Sequence, residues 1–417
     1  MSAPTAAPPT SPTSLVGRVR AGASRGQIVA AILSWLTVTL EGFELVTLGA
    51  IIPTFLETQY LGMGVAETTF IATLSLVGVG LGASGIGPIA DRYGRRVALI
   101  GSVLIFSIFT LLQPLSTTVM MFAVLRFVAG LGLGACMPAA LAIMAEVTPP
   151  AHRAKSATIT MTGYHVGAVA ASLTAMAVLP HWEWLFWIGG AIGLVLLPIM
   201  WFALPESKPD VTSDTPKVPL SSLLRAPYLR PSIGLWVGSF MGLLLVYGLL
   251  TWLPQIMKAA GYSLSSSLVM LFIMNVGAIV GLLLAGWVAD TKGIKPSILV
   301  WYLLAAIFLA LLSVRMTNTV MLNAVVFVAG VFVFSAQVLI YALVAHLYHR
   351  DVRATALGLT AGIGRLGAIL GPLVTGSLVS AGLGHPWGFY AFALVALLAL
   401  GAIALAPKNP PRLDGHA

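Results

Sequence analysis

Two carboxylates lie in the middle of the first long apolar run of this 417-residue sequence. Glu41 and Glu44 stand halfway along a segment, Ile28 to Phe55, that is otherwise apolar or hydroxyl-bearing. An ionised carboxylate at the centre of a bilayer costs about 2.5–3.5 kcal/mol, so such residues usually face a polar cavity and carry function. The i, i+3 spacing predicts that both lie on one helix face, where neighbouring carboxylates tend to hold one proton between them. The pair therefore indicates a proton-coupled carrier; the alternative is a pair that only hydrogen-bonds neighbouring helices.

The composition excludes an ordinary soluble protein. Hydrophobic residues make up 58% and charged residues 8% of the chain, with a mean hydropathy of +0.97, whereas soluble proteins average about 25% charged residues. Repeated apolar runs of about 20 residues predict a polytopic α-helical membrane protein. The segment Met1–Ser14 lacks the apolar core of a signal peptide and is interpreted as a disordered tail. The single cysteine, Cys136, excludes an internal disulfide and is interpreted as a small packing residue.

Twelve membrane spans are predicted, six on each side of a polar, proline-rich segment. The predicted domains are a cytoplasmic N-terminal tail (1–27), a six-helix bundle (28–204), a cytoplasmic linker (205–231), a second six-helix bundle (232–406) and a cytoplasmic C-terminal tail (407–417). The predicted spans are 28–56, 66–90, 97–114, 118–146, 155–180, 184–204, 232–258, 264–290, 296–314, 318–347, 355–382 and 387–406.

Basic residues lie almost entirely on one predicted side of the bilayer. If the N-terminus is cytoplasmic, 18 of the 22 Lys and Arg residues fall in cytoplasmic segments. Only Lys258 and Arg315 fall in segments on the opposite, extracytoplasmic side. The remaining two, Arg126 and Arg365, lie within predicted spans. This asymmetry predicts that both termini are cytoplasmic. A formal charge of +9 would otherwise suggest nucleic-acid binding. Such binding is not expected here, because the basic residues do not cluster on a soluble face.

The two predicted bundles repeat one another in sequence. The segment Gly87–Asp91 (GPIAD) recurs as Gly286–Asp290 (GWVAD), and Phe127–Gly130 recurs unchanged as Phe327–Gly330, at offsets of 199 and 200 residues. Two parallel halves related by an axis along the membrane normal predict a carrier that rocks around a central site. The predicted fold class is therefore an all-α membrane protein, with twelve transmembrane helices in two pseudo-symmetric six-helix bundles, the major facilitator fold.

The loop between spans 2 and 3 carries the motif GPIADRYGRR, from Gly87 to Arg96. It resembles the major facilitator loop signature G-x-L-A-D-R-x-G-R-R, with Ile89 in place of Leu. Gly94 would permit a tight turn, and Asp91 would pair with an arginine or cap a helix end. The arginines would latch the two halves while the site faces outward, or they would only anchor the loop at the inner surface. The gating residues predicted in this motif are Asp91, Arg92, Arg95 and Arg96.

Three further segments resemble one branch of that superfamily, the aromatic acid:proton symporters. The tetrapeptide Glu41–Glu44, followed by Gly49 and Pro53, resembles their first-helix motif D-G-[FY]-D…G…P. Span 4 from Arg126 to Glu146 resembles their R-F-x-x-G-x-G-x-G…P…A-E pattern, and span 11 from Arg353 to Pro372 resembles R-A…G-x-G-R-x-G-A…G-P. The sequence departs from the branch in having Glu instead of Asp at both first-helix acids.

The resemblance implies uptake of an aromatic carboxylate together with a proton. It implies proton coupling at Glu41 and Glu44, a gate at Asp91, and functional arginines at Arg126 and Arg365. The chemistry of arginine agrees with a substrate-binding role for Arg365. A charged guanidinium in mid-span needs a partner, and it can bind a carboxylate through two parallel hydrogen bonds. Two alternatives stay open: a permanent pair of Arg365 with a residue such as Glu41, and an Arg126 side chain that snorkels to the outer surface.

The 200-residue offset aligns His165 with Arg365, so the two are expected across the cavity from one another. There His165 would bind substrate or relay a proton, or it would be a buried histidine hydrogen-bonded to a carbonyl. Near the cytoplasmic surface, Glu146 is predicted to form a second ion-pair set with Arg153 and Arg353. The remaining candidates for contact with the substrate ring or its hydroxyls, each of which could instead be a packing residue, are Phe43, Tyr164, Trp252, Asn275, Gln337 and Tyr341.

The sequence thus predicts a rocker-switch symporter that imports a monocyclic aromatic carboxylate, of benzoate or hydroxybenzoate type, across a bacterial inner membrane. Its expected partners are that acid, a proton and the lipid bilayer. No cofactor beyond the proton gradient, no metal and no nucleic acid are expected. The protein is expected to be a monomer. Enzyme chemistry has no support from a metal cluster, nucleotide loop or nucleophile set. The alternatives are an aliphatic organic-acid:proton symporter, a non-transporting receptor, and a drug:proton antiporter, whose usual fifth-span G-P-x-x-G-G run is absent from Gly163–Gly167.

Overall fold

The computed structural model describes residues 25–148, 153–205 and 222–409. Within these residues the chain forms twelve long helices, each long and apolar enough to cross a bilayer, which confirms the predicted number of spans. The predicted tails and the linker lie largely outside the described residues. The helices are α1 (Arg25–Thr58), α2 (Val65–Tyr93), α3 (Arg95–Leu112), α4 (Val119–Val147), α5 (Arg153–Val178), α6 (Glu183–Ala203), α7 (Leu229–Ala259), α8 (Leu264–Lys292), α9 (Ile294–Leu311), α10 (Thr319–Leu347), α11 (Arg350–Ser380) and α12 (Trp387–Leu405).

Local sequence determines where several helices begin. The side chains of Thr118, Ser263 and Asn318 cap α4, α8 and α10 by accepting hydrogen bonds from backbone amides of the first turn. Gly94 and Gly293 have φ values of 96° and 94°, a region that favours glycine, and they allow α2 to turn directly into α3 and α8 into α9. Because these two glycines are equivalent in the repeat, each half contains the same turn.

Close helix packing also repeats between the halves. In the first half, Gly78 and Gly82 of α2 lie directly against the backbone of α4. In the second half, Gly277 and Gly281 of α8 lie in the same way against the backbone of α10. A side chain at any of these positions would overlap a carbonyl group, so small residues permit the approach of the helices. The packing confirms the internal repeat that the sequence predicts.

The two halves, α1–α6 and α7–α12, separate towards the end of the bundle at which α1 begins and α12 ends, called here the terminal end. A side chain at Gly80 of α2 would begin 3.6 Å from the Ile369 side chain of α11. Two turns nearer the terminal end, on the same helix faces, a side chain added at Gly87 or Gly362 would meet no atom of another helix within 4 Å. The helices α2 and α11 therefore diverge towards the terminal end.

The halves are closed against each other at the opposite, far end. Lys258 at the end of α7 donates a hydrogen bond to the carboxylate of Glu57 at the end of α1, over 2.6 Å. Deeper in the bundle, Gly49 of α1 lies against the backbone of α7 at Leu250. Nearer the far end, Gly376 of α11 packs against Thr69 of α2. The space between the halves is thus open at the terminal end and closed at the far end.

Candidate functional site

A cavity of about 130 Å³ lies between the two halves, near mid-bundle. Its charged lining residues are Glu41 from α1 and Arg365 from α11, and His165 from α5 also faces it. The expected placement of His165 and Arg365 around one cavity is therefore observed. The aromatic side chains that line the cavity are Tyr164, Tyr247, Phe334 and Tyr341.

The Arg365 guanidinium is only lightly engaged by the protein. Within the described part of the chain it makes one hydrogen bond, from Nη1 to the hydroxyl of Tyr247 over 3.5 Å. A guanidinium has five N–H donors, so most of its donors can face a ligand. Arg365 and Glu41 share the cavity but form no ion pair within 4 Å among the described residues. The arrangement leaves room for a carboxylate to bind Arg365 through two hydrogen bonds.

Glu41 is a buried acid with an unpartnered oxygen. The residue is 1% exposed, and in the described residues its Oε2 atom has no hydrogen-bond partner. Burying a carboxylate without hydrogen bonds is costly, whereas a protonated carboxyl or a bound ligand removes much of that cost. The position therefore suits a group that takes up and releases a proton.

Glu44 does not share the cavity with Glu41, contrary to the expectation that one face carries both acids. Its carboxylate lies 3.6 Å from Nη1 of Arg126 and accepts a hydrogen bond from Thr110 over 3.3 Å. Nη2 of Arg126 also donates to the backbone carbonyl of Glu44 over 2.5 Å. At about 100° per residue, positions i and i+3 differ by about 60° around a helix. This offset directs Glu44 to α3, α4 and α6, so the two acids do not hold one proton between them here.

Arg126 neither snorkels to the surface nor contacts the cavity. Its side chain is completely buried, and the guanidinium lies over the Phe186 ring, 5.9 Å from its centroid. The Arg126 side chain also lines a second, much smaller space, which lies towards the far end of the bundle. Tyr164 and Tyr247 line both spaces and so stand between Arg126 and the cavity.

His165 connects the two halves through Asn275. Its Nδ1 donates to Oδ1 of Asn275 on α8 over 3.2 Å, and the amide of Asn275 donates to the carbonyl of Leu271 over 2.9 Å. Asn275 is completely buried and reaches the cavity through His165 rather than lining it. The His165 ring also packs edge-on against Phe334, with centroids 5.1 Å apart.

Two of the predicted ring-contact residues are packing residues. Phe43 lies against Gly167 and Gly189, inside the first half. Trp252 is completely buried and donates its indole N–H to the carbonyl of Pro372 over 3.0 Å. Both lie on the sides of α1 and α7 that face neighbouring helices, which a linear sequence does not specify.

Gln337 and Tyr341 line the cavity as expected. The Gln337 amide donates to the hydroxyl of Ser239 over 2.9 Å, which fixes its side chain. Tyr247, which contacts Arg365 and lines both spaces, is not among the residues predicted from the sequence. The signal available was a polar ring in mid-span, one turn and a half beyond Gly242, the repeat partner of Gly42.

The contacts described for the predicted gate residues Arg95, Arg96 and Arg353 lie within their own halves. Arg95 forms an ion pair with Glu146, and Arg96 donates to the carbonyl of Trp201. Glu146 was expected to pair with Arg153 and Arg353. It pairs with Arg95 and not with Arg353, which donates to the Tyr348 carbonyl over 3.2 Å; the pair with Arg153 stays a prediction. The reason for the missing pair with Arg353 is geometric: Arg353 belongs to the other half, and the halves are apart at the terminal end. The side chain of Arg153 lies outside the described residues, and Asp91 and Arg92 are exposed.

Comparison with known proteins identifies the family. The sequence profile of the Major Facilitator Superfamily matches residues 28–370 and 270–416. The chain belongs to the Major Facilitator Superfamily. This major facilitator is 32% identical to the benzoate transport protein of Acinetobacter baylyi, over 90% of this chain and 88% of that protein. It is 33% identical to the gentisate transporter of Corynebacterium glutamicum, over 92% and 88% of the two chains.

The fold of this major facilitator is also similar to a solved structure. The crystal structure of a D-xylose–proton symporter matches with a TM-score of 0.74 at 16% identity, covering 92% of this chain and 98% of that one. The predicted fold class and the resemblance to the aromatic acid branch of the superfamily are both confirmed. The chain is a multi-pass membrane protein of a transporter family.

Proposed function

We propose that this protein imports a monocyclic aromatic carboxylate together with a proton, by alternating access. The observation that carries the proposal is that Arg365, with one hydrogen bond, and Glu41, with an unpartnered oxygen, line the same cavity. A substrate carboxylate can bind the guanidinium while Glu41 is protonated. The charges in the cavity then cancel, which lowers the cost of enclosing them away from water.

The cavity favours a single aromatic ring over an aliphatic acid. Its volume of about 130 Å³ is close to that of protein cavities of about 150 Å³ that accept benzene. Four aromatic rings and His165 line it, and offset or edge-on ring contacts add to simple burial. The names of the relatives, a benzoate transport protein and a gentisate transporter, support the same substrate class.

Glu41 and Glu44 have different surroundings and therefore have different roles in the proposed transport cycle. Glu41 carries the transported proton because it faces the cavity, while Glu44 stays paired with Arg126. Substrate and proton enter from the far end, and the loaded, neutral cavity permits the halves to rock. With cytoplasmic termini, the conformation described above is the inward-facing one, from which the acid and then the proton leave. The positive-inside distribution of Lys and Arg supports that orientation, in the inner membrane of a bacterium.

Uptake into proteoliposomes tests the proposal. The full chain would be reconstituted with an imposed inward proton gradient and given labelled benzoate, 4-hydroxybenzoate, gentisate and an aliphatic dicarboxylate. We expect gradient-driven uptake of at least one aromatic acid. Arg365→Lys should remove most of this uptake, because lysine keeps the charge but loses the planar fork that binds a carboxylate.

The matched control is Arg315→Lys, the same substitution at an arginine near the far end and outside the cavity. It should transport like the unmodified protein. Uptake of the dicarboxylate alone would replace the proposal with an aliphatic acid symporter. Proton-driven extrusion of cationic dyes, without acid uptake, would replace it with a drug antiporter. Because one chain supplies every residue of the cavity, transport should also persist when each liposome holds a single copy.

A further inference from the structure

A third, larger cavity lies at the terminal end, outside the space between the halves. It is a groove of about 390 Å³ between the start of α7 and the end of α12. Its walls are almost entirely apolar, and one charged residue, Arg230, lines it. The lining residues are Ala226, Pro227, Leu229, Arg230, Ile233 and Leu405.

The start of α7, which forms one wall of the groove, is held in place by contacts on the side that faces away from the groove. Tyr228, next to the lining residues, is buried and stacks on Tyr348, with ring centroids 5.2 Å apart. One turn later, Ser232 and the Tyr348 hydroxyl are hydrogen-bonded over 2.7 Å. The groove is therefore a formed feature of the fold rather than a gap between mobile segments.

No acidic residue in the described part of the chain forms an ion pair with the positive charge at the groove. In the described residues Arg230 is exposed and makes no hydrogen bond or ion pair. A second basic residue, Lys295, lies at the start of α9. Lys295 donates to the carbonyls of Ala404, over 3.0 Å, and Ala406, so it is fixed beside the groove at the end of α12.

The groove lies at the depth of lipid headgroups. At about 1.5 Å per residue, the 31 residues of α7 span about 46 Å, which exceeds the hydrocarbon thickness of about 30 Å. Arg230 is the second residue of this helix, so its guanidinium reaches the headgroup region. Exposed Ile233 and Leu405 continue the groove into the apolar layer.

We propose that this groove binds an anionic phospholipid such as phosphatidylglycerol, with Arg230 on the phosphate and an acyl chain against Ile233 and Leu405. Arginine binds phosphate through two parallel hydrogen bonds, and basic pockets between helices at a membrane surface bind anionic headgroups. A zwitterionic lipid would fill the apolar groove equally well but would bring its own positive charge to Arg230 and Lys295.

Lipid-dependent stability of the purified full chain tests the site. Phosphatidylglycerol added to the protein in detergent should raise the thermal unfolding midpoint, because a ligand that binds only the folded state stabilises it. Phosphatidylcholine with the same acyl chains should do so less. A basic residue near an anionic surface contributes about 1 kcal/mol, or about fivefold in affinity. Arg230→Gln should therefore reduce the preference for phosphatidylglycerol about fivefold, measured as lipid retention by native mass spectrometry.

Two variants separate the groove from general surface charge. Lys292→Gln removes an exposed basic residue at the terminal end that does not line the groove and should leave the preference unchanged. Ala226→Leu fills the groove without altering charge and should weaken retention of both lipids. An equal loss in Lys292→Gln and Arg230→Gln would overturn the proposal in favour of diffuse attraction.

Two further arms identify other occupants. Glycerol 1-phosphate, which has the phosphate but no acyl chain, should leave the unfolding midpoint unchanged; stabilisation by it would point to a free phosphate site instead. A variant with residues 207–217 replaced by a Gly/Ser segment should bind phosphatidylglycerol like the unmodified chain. If lipid preference appeared only in that variant, the linker itself would occupy the groove, and the lipid proposal would be wrong.

Discussion

The Arg126 guanidinium lies 3.6 Å from the Glu44 carboxylate, and neither side chain has any exposed surface. Three residues earlier in the same helix, Glu41 faces the central cavity instead. Removing one member of a buried pair leaves the other charged and unpartnered, whereas removing both does not. The two acids of α1 should therefore differ in what their loss changes: folding for Glu44 and proton coupling for Glu41.

Arg126→Leu should lower the free energy of unfolding by about 3–5 kcal/mol, the usual cost of breaking a buried ion pair. The double variant Glu44→Gln/Arg126→Leu should recover most of this loss, because no unpaired charge remains buried. Denaturant titration of the purified protein in detergent measures both. If the double variant were as unstable as the sum of the two single variants, Glu44 and Arg126 would not be energetically coupled.

Glu41→Gln should reduce gradient-driven accumulation of the aromatic acid to the level of empty liposomes, because glutamine cannot carry the proton. Exchange of labelled for unlabelled acid, which needs no net proton movement, should persist. Raising the external pH should slow uptake by the unmodified protein, since fewer Glu41 side chains are protonated from that side, and should not affect exchange in the variant.

The control for this experiment is Glu67→Gln. Glu67 caps the start of α2 by accepting from the Gly64 amide over 2.8 Å, and glutamine preserves such a cap. Its accumulation and pH dependence should match those of the unmodified protein. Accumulation that survived Glu41→Gln but not Glu44→Gln would reverse the proposed roles of the two acids.

The fold was predictable because its signals are local or repeated. Apolar runs of spanning length fix the number of helices, and the equivalence of Gly94 and Gly293 shows in the sequence as a shared offset. The same offset predicted that His165 and Arg365 meet at one cavity, because equivalent positions in two pseudo-symmetric halves lie at equal depth.

The rotation of side chains about each helix was less predictable. A 60° difference between Glu41 and Glu44 sends them to different neighbours, and periodicity cannot resolve it when a helix is apolar on every side. Trp252 and Phe43 turn towards neighbouring helices for the same reason. The sequence also does not show which cation is near Glu146, since Arg95 lies in the same half and Arg353 lies across the opening between the halves.

Gly49→Val should prevent closure of the far end. A side chain at Gly49 would overlap the backbone carbonyl of Leu250 on α7, and a backbone cannot move aside as a flexible side chain can. We expect slower uptake and faster labelling of a cysteine at Leu48, which lines the small far-end space. The measurement uses an impermeant thiol reagent in a Cys136→Ala background.

Gly101→Val serves as the control for that substitution, because nothing lies within 4 Å of a side chain at Gly101. Labelling at Leu48→Cys should then equal that of the parent. A thermal unfolding midpoint for each variant separates a shifted conformation from a damaged fold. Equal labelling in the Gly49 and Gly101 variants would show that the contact of α1 with α7 does not limit closure.

The ion pair between Glu57 and Lys258 should favour the state that is closed at the far end, but only modestly. The pair joins α1 to α7 over 2.6 Å with side-chain exposures of 63% and 28%, and exposed pairs contribute about 0.2–1 kcal/mol. Lys258→Glu replaces attraction with repulsion, so it should increase far-end labelling of the Leu48 cysteine by up to about fivefold. The swapped double variant Glu57→Lys/Lys258→Glu should restore the original rate.

Because salt screens exposed charges, the difference between the single variant and the parent should shrink in 1 M salt. An increase that salt does not reduce, or that the swap does not reverse, would assign the effect of Lys258 to packing rather than to its charge.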